Sequence, residues 1–259
     1  YNLSYIFQGI RCTYLRGETS AQIDDHVFFS NREVFSSFKR GHPNGSDYTN
    51  FILNERLDSV LEKTQTVAFL VLQKDSVRLE KYWGPGGEGV LSNSFSVAKS
   101  IVSLLVGCAI EDGFIDSVDQ NVSDFIPGLK LYKDSIEVKI KHLLEMSSGL
   151  DWLENYKRPI SVTAKAYYGT DIENLILSQN FISPPGEVYE YKSGDTQLLG
   201  LVLEKAVGTT VSEYASRALW TKIGAENSAL WTLDHKNGKE KTFCCFNSTA
   251  RDFLKIGNL

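Results

Sequence analysis

The sequence predicts an α+β fold, an antiparallel sheet interrupted by a mostly helical insertion. Two observations carry this. Strand-like runs at 66–73 and 76–83, and again at 229–233 and 242–246, bracket a long helical stretch with no β-α-β alternation. The longest apolar run starts at Ser94-Phe95-Ser96-Val97-Ala98-Lys99-Ser100-Ile101 and ends at Asp112-Gly113. It reads as a helix buried on nearly all sides. The 259 residues suffice for one large domain or two lobes.

Residues 1–50 read as an irregular N-terminal arm, because Ser, Asn, Gly and charged residues interrupt short apolar pairs such as Phe28-Phe29. The globular domain occupies 51–259. Within it, 51–110 and about 225–259 form a sheet lobe, and about 111–224 a helical lobe. A helix over 47–63 turns Phe51, Ile52, Leu57, Val60 and Leu61 inward. Lys74-Asp75 is a two-residue turn between the first two strands, and Gly84-Pro85-Gly86-Gly87 ends the hairpin. That loop lacks the lysine and spacing of a phosphate-binding loop. After the buried helix come a helix within 136–146 stopped near Ser148-Gly149, and one capped by Thr170-Asp171 running to 179. Pro184-Pro185-Gly186 is a rigid turn. Helices follow at 193–207, closed by Gly208, and 211–223, capped by Thr210 and closed by Gly224. Lys236-Asn237-Gly238 joins the last two strands, and Ser248 caps a final helix.

Composition narrows the function. Hydrophobic residues make up 42% and charged residues 23%, ordinary for a globular protein. A net charge of -5 without a dense Lys/Arg block gives no reason to expect nucleic acid. No apolar run is long enough to span a bilayer, so no membrane contact is visible. The chain starts at Tyr1 rather than Met, which leaves room for a removed leader or anchor. The cysteines Cys12, Cys108, Cys244 and Cys245 lack C-x-x-C spacing, which speaks against zinc, and Cys108 reads as a small buried hydrophobe. No metal or cofactor is implied. The four histidines are scattered and form no triad, and no Gly-x-Ser-x-Gly elbow is present.

The chemistry centres on the head of the buried helix. Ser96 and Lys99 are three residues apart and share a helix face. A hydroxyl beside an amine at a helix N-terminus is one way to make a nucleophile. A second Ser-x-x-Lys, Ser36 to Lys39, precedes a loop with no apolar helix and reads as chance. Tyr189 and Tyr191 alternate and share a face if extended.

Taken in order, several stretches resemble one family. Ser96-Val97-Ala98-Lys99 is followed by His142-Leu143-Leu144 with Ser148-Gly149-Leu150, then by Pro185-Gly186 with Tyr191-x-Ser193 and Leu198-Leu199-Gly200. This order is similar to serine β-lactamase-related hydrolases: class C β-lactamases, DD-peptidases and related esterases. Ser148-Gly149-Leu150-Asp151-Trp152 with Glu154 and Tyr156, and the use of Tyr-x-Ser, look most like the 6-aminohexanoate-dimer hydrolase branch. The resemblance runs from about residue 66 to the end. It implies a β-lactamase/DD-peptidase-like fold and an acyl-Ser96 intermediate. Lys99 would accept or relay the Ser96 proton, Tyr191 would complete the proton network, and the Ser96 N–H would stabilise the oxyanion. Ser193, Tyr189 and Trp152 would flank the substrate, a small-molecule or peptide-like amide or ester. The family is often exported, periplasmic or membrane-anchored.

Three features complicate the match. Tyr191-Lys192-Ser193 stands where the usual motif is Tyr-x-Asn, which turns the expectation from a β-lactam toward another amide or ester. A literal Tyr-x-Asn at Tyr48-Thr49-Asn50 lies outside the family order and reads as chance. The late-strand Lys-Thr-Gly element has no counterpart, because Lys236-Asn237-Gly238 reads as a turn. Relatives continue where this chain ends at Leu259, so the sequence suggests a fragment or a shortened relative. The expected activity is amide or ester hydrolysis. The alternatives are a DD-peptidase, penicillin-binding or β-lactamase activity, and a non-catalytic binding module on the same scaffold.

Overall fold

A computed structural model describes residues 3–48, 52–133 and 135–259. Helix α1 (Ser4–Cys12) and strand β1 (Asn31–Val34) come first, then helix α2 (Glu55–Lys63). The side chain of Asn54 accepts from the Leu57 N–H at 2.8 Å and caps α2. Residues 49–51 lie outside the described residues, and with them part of Tyr48-Thr49-Asn50. The expected helix over 47–63 starts later, at Glu55, because 47–48 and 52–54 are not helical, and Ile52 and Val60 are exposed rather than turned inward.

Strands β2 (Ala68–Gln73) and β3 (Ser76–Tyr82) form the expected hairpin. Lys74 and Asp75 both have positive φ, 52° and 58°, as a twist-matched two-residue turn requires. Strand β4 (Ser92–Asn93) leads into α3 (Val97–Glu111). Helix α3 buries Ala98, Ile101, Val102, Leu105, Val106 and Ala109. It is less enclosed than the sequence suggests, because Val97, Ser100, Ser103 and Gly107 form an exposed stripe at helical spacing.

The helical lobe holds α4 (Ile140–Leu144), α5 (Val162–Tyr168), α6 (Ile172–Leu177), α7 (Ser193–Val207) and α8 (Val211–Ala215). A π turn, Ser216–Trp220, extends α8. Asp171, not Thr170, caps α6, and Gly208 closes α7 at φ 68°. Helices α3 and α7 pack together. Gly200 on α7 is needed for close approach, since a Cβ there would sit 2.3 Å from Thr242 Oγ1.

Strands β5 (Ala229–Thr232) and β6 (Phe246–Ser248) return to the sheet, and α9 (Ala250–Gly257) follows. The four-stranded antiparallel sheet runs β1-β5-β6-β4, with β2 and β3 as a separate pair. Trp231 and Phe246 are cross-strand partners and meet edge to face at 5.0 Å; Trp220 packs on Phe246 at the same distance.

Three further expectations are corrected. The first 50 residues are not wholly irregular: α1 packs on α5, and β1 pairs with β5 in the sheet. A four-residue edge strand has too few periods to stand out in a sequence. The last strand is Phe246–Ser248 rather than 242–246, because the chain turns at Cys244-Cys245, with Cys245 at φ 68° and the two sulfurs joined. Thr249, not Ser248, caps α9 by accepting from the Asp252 N–H.

Candidate active site

The site is built on the turn between β4 and α3. The Asn93 side chain accepts from the Phe95 N–H at 2.9 Å, and the Ser94 N–H donates to the Phe246 carbonyl at 2.9 Å. Phe95 has φ 44°, a left-handed conformation that is uncommon for an aromatic residue. The tight turn sets Ser96 at the head of α3, exposed. Among the described residues its N–H has no protein acceptor. It is free to meet an oxyanion at a helix N-terminus.

Two groups converge on Ser96 Oγ. The Tyr191 hydroxyl donates to it at 2.7 Å, and Lys99 Nζ donates at 3.2 Å. Lys99 Nζ also donates to the Phe243 carbonyl at 2.7 Å and stands 5.1 Å from the Tyr191 ring centre. Burial pushes the Lys99 pKa down to about 8, against the charge of Glu154, which raises it. An amine with such a pKa releases its proton far more readily than a solvated lysine.

Neighbouring bonds hold Tyr191. The Glu190 N–H donates to the Met146 carbonyl at 2.8 Å, and Lys192 Nζ donates to the Leu150 carbonyl at 2.6 Å. Ser193 donates to Glu154 twice, from its N–H and its Oγ, both at 2.8 Å. Trp152 Nε1 donates to the same carboxylate at 2.9 Å. Behind them, Ser148 Oγ donates to the fully buried Asp195 at 2.5 Å.

Of the six residues picked from the sequence, Ser96, Lys99 and Tyr191 meet directly. Trp152 is 3% exposed and reaches them only through Glu154, which also occupies Ser193. Tyr189 does not join the set; it is 70% exposed, because the segment before α7 is not a strand that would align it with Tyr191. Two contributors have no role in the sequence reading. Glu154 enters it only as part of the family resemblance, and the Phe243 carbonyl is a backbone atom with no sequence signature. The second Ser-x-x-Lys is a loop in which Ser36 Oγ donates to the Phe38 carbonyl. Lys236-Asn237-Gly238 forms the expected turn, with the Gly238 N–H on the His235 carbonyl at 2.9 Å.

A cleft of about 560 Å³ opens beside Ser96, walled by α1 and α5. A separate polar cavity of about 310 Å³ lies between Arg32, Glu204 and Lys239. Lys239 pairs there with Glu204 at 2.6 Å, and the cavity contains neither Ser96 nor Lys99. No group of acidic, His or Cys residues suited to a metal occurs among the described residues, and no helix there is long and apolar enough to cross a membrane.

The family model described as Beta-lactamase matches residues 53–239. The chain belongs to the Beta-lactamase family. A 6-aminohexanoate-dimer hydrolase of Paenarthrobacter ureafaciens is 28% identical over 219 residues, covering 78% of this chain and 54% of the relative. The chain thus spans about half the length of that family relative. Among solved structures, a Bacillus anthracis protein provisionally named a 6-aminohexanoate-dimer hydrolase superposes with a TM-score of 0.77 at 20% identity. That match covers 95% of this chain and 68% of that one. A penicillin-binding protein from Bacillus halodurans superposes at 0.60 with 20% identity, over 78% and 72% of the two chains. These two likenesses show the Beta-lactamase/penicillin-binding fold. The family is one of hydrolases that use a serine.

Proposed function

We propose that this chain carries the catalytic centre of an amidase or esterase that works through acyl-Ser96. The observation that carries the reading is the convergence of Tyr191 Oη and Lys99 Nζ on Ser96 Oγ, at 2.7 and 3.2 Å. When Lys99 is neutral, its lone pair turns to the Ser96 hydroxyl while one N–H stays on the Phe243 carbonyl. Ser96 Oγ then bonds to the substrate carbonyl carbon as its proton passes to Lys99. The Ser96 N–H faces the oxyanion. As the carbon–leaving-group bond breaks, Tyr191 gives its proton to the departing nitrogen or oxygen, and the proton held by Lys99 restores it. Water then attacks the acyl carbon, loses its proton to the same network, and releases Ser96.

An amide or ester other than a β-lactam is favoured. Ser193 lines the cleft, but its hydroxyl proton is given to Glu154, so the position that usually offers a substrate-facing amide has no free side-chain donor here. The relative's name points to a linear amide substrate. The test is covalent labelling of the full-length protein by a fluorophosphonate and by a penicillin-type probe, read by mass spectrometry. Fluorophosphonate labelling at Ser96, lost in Ser96→Ala and weak or absent with penicillin, is expected. A folded full-length protein that takes no label would sink the catalytic reading and favour a binding module.

A further inference from the structure

The cleft beside Ser96 defines what kind of acyl group the site takes. Ile6 and Ile10 on α1 share a helix face and form one wall, with Ala164 and Tyr168 on α5 opposite. Phe95 and Phe243 line it beside Ser96. Among the described residues no carboxylate lines the cleft, and its charged lining residues are Lys157 and Arg158, both exposed. At Gly9 the two walls come near each other: a Cβ there would be in ordinary contact with the Tyr168 ring, at 3.4 Å, and a longer side chain would enter the cleft. The volume, about 560 Å³, is in the range of small-molecule sites.

Direction follows from the proton donor. The leaving atom has to lie by the Tyr191 hydroxyl to receive its proton. Neither Tyr191 nor Lys99 lines the cleft, whereas Ser96 does. The two halves of the substrate diverge from the carbon bonded to Ser96 Oγ, so the half that enters the cleft is the acyl half. We infer that the substrates are esters or amides of an extended apolar acyl chain, which lies between α1 and α5. This rests on the acyl-Ser96 reading and names its substrate class. It also gives the first helix of the chain a part in specificity.

The test uses the full-length protein and p-nitrophenyl esters from acetate to octanoate. Each methylene that leaves water for the cleft should raise kcat/KM about three- to fourfold. In Ile6→Ser/Ile10→Ser the increment should fall below about 1.5-fold per methylene, with the largest loss at octanoate. Ile10 is 37% exposed, so the pair is a mild burden on folding, which a thermal melt checks. If that double variant melts early, Gly9→Leu serves instead, and should lose octanoate turnover far more than acetate turnover. A flat or falling chain-length profile in the wild type, or no ester turnover in a protein that a fluorophosphonate still labels at Ser96, overturns the inference and spares the nucleophile. Turnover that survives Ser96→Ala overturns the acyl-Ser96 reading itself.

Discussion

At Lys99 burial and charge oppose each other. Burial lowers its pKa to about 8, and Glu154 pulls the other way. As a proton acceptor Lys99 works only when neutral. The kcat/KM profile of ester hydrolysis should therefore rise with pH to a limb near 8 and drop about tenfold per pH unit below it. In Glu154→Gln the protonated amine loses a stabilising charge, so the limb should move to lower pH. If Tyr191 protonates the leaving group as proposed, Tyr191→Phe should lower kcat by about 10²–10⁴ in steady-state assays. Asp195 behaves differently. Burial raises its pKa to about 7 despite the hydrogen bond from Ser148. The folded chain then holds a proton that the unfolded chain releases near pH 4, so stability falls as pH rises from about 4 to 7 and is level above. Asp195→Asn keeps an oxygen for Ser148 and loses the ionisation. Its melting temperature should exceed the wild type's at pH 8 by about 2–6 °C and converge with it near pH 4. Ser96, Lys99 and Tyr191 were legible because each is a side chain with its own chemistry, set in an ordered series of motifs that resembles a family. The Phe243 carbonyl was not, because any residue supplies one and only the fold aims it at Lys99.

Among the elements, the β2–β3 hairpin illustrates what a sequence states openly. Alternation and the Lys74-Asp75 turn give its register, but not where it docks. That is set by Glu80, which is buried and receives Arg251 Nε from α9 at 3.0 Å on both oxygens, with Tyr48 donating at 2.9 Å. Burial alone would raise the Glu80 pKa; the hydrogen bonds from Arg251, Tyr82 and Tyr48 hold it below its ordinary value. Its contribution is therefore present above pH 4–5 or so and lost as pH falls through the lowered pKa. Glu80→Ala strands a guanidinium with 18% of its side chain exposed and should cost about 3 kcal/mol, a loss of roughly 6–12 °C in melting temperature at pH 7. Helix α5 was not anticipated at all. Val162, Thr163, Tyr167 and Tyr168 are weak helix formers, and the helix stands because Ser161 caps it at 3.1 Å and α1 packs on it. Helix α3 was legible in extent because an apolar run of fifteen residues is too long for a strand and Asp112-Gly113 marks its end.

For the whole molecule, the strands–helices–strands order gave the architecture, and the strand that completes it lay hidden at the start. Asn31–Val34 is the outer neighbour of Ala229–Thr232, and Arg32 also reaches Glu240 at 2.6 Å. Deleting residues 1–34 from the full-length protein should expose the β5 edge and one wall of the cleft. The expected result is a lower melting temperature and concentration-dependent association, measured by light scattering. Long-range closure of this kind leaves no local pattern, since neither partner strand says where the other is. It also sets an order of events during synthesis. The segment Asn31–Val34 leaves the ribosome first, and its partner follows only after about 200 further residues, roughly 10–40 s later. Throughout that interval the first strand has no sheet to join, and the nascent chain has to keep it apart from other exposed edges until residue 232 arrives.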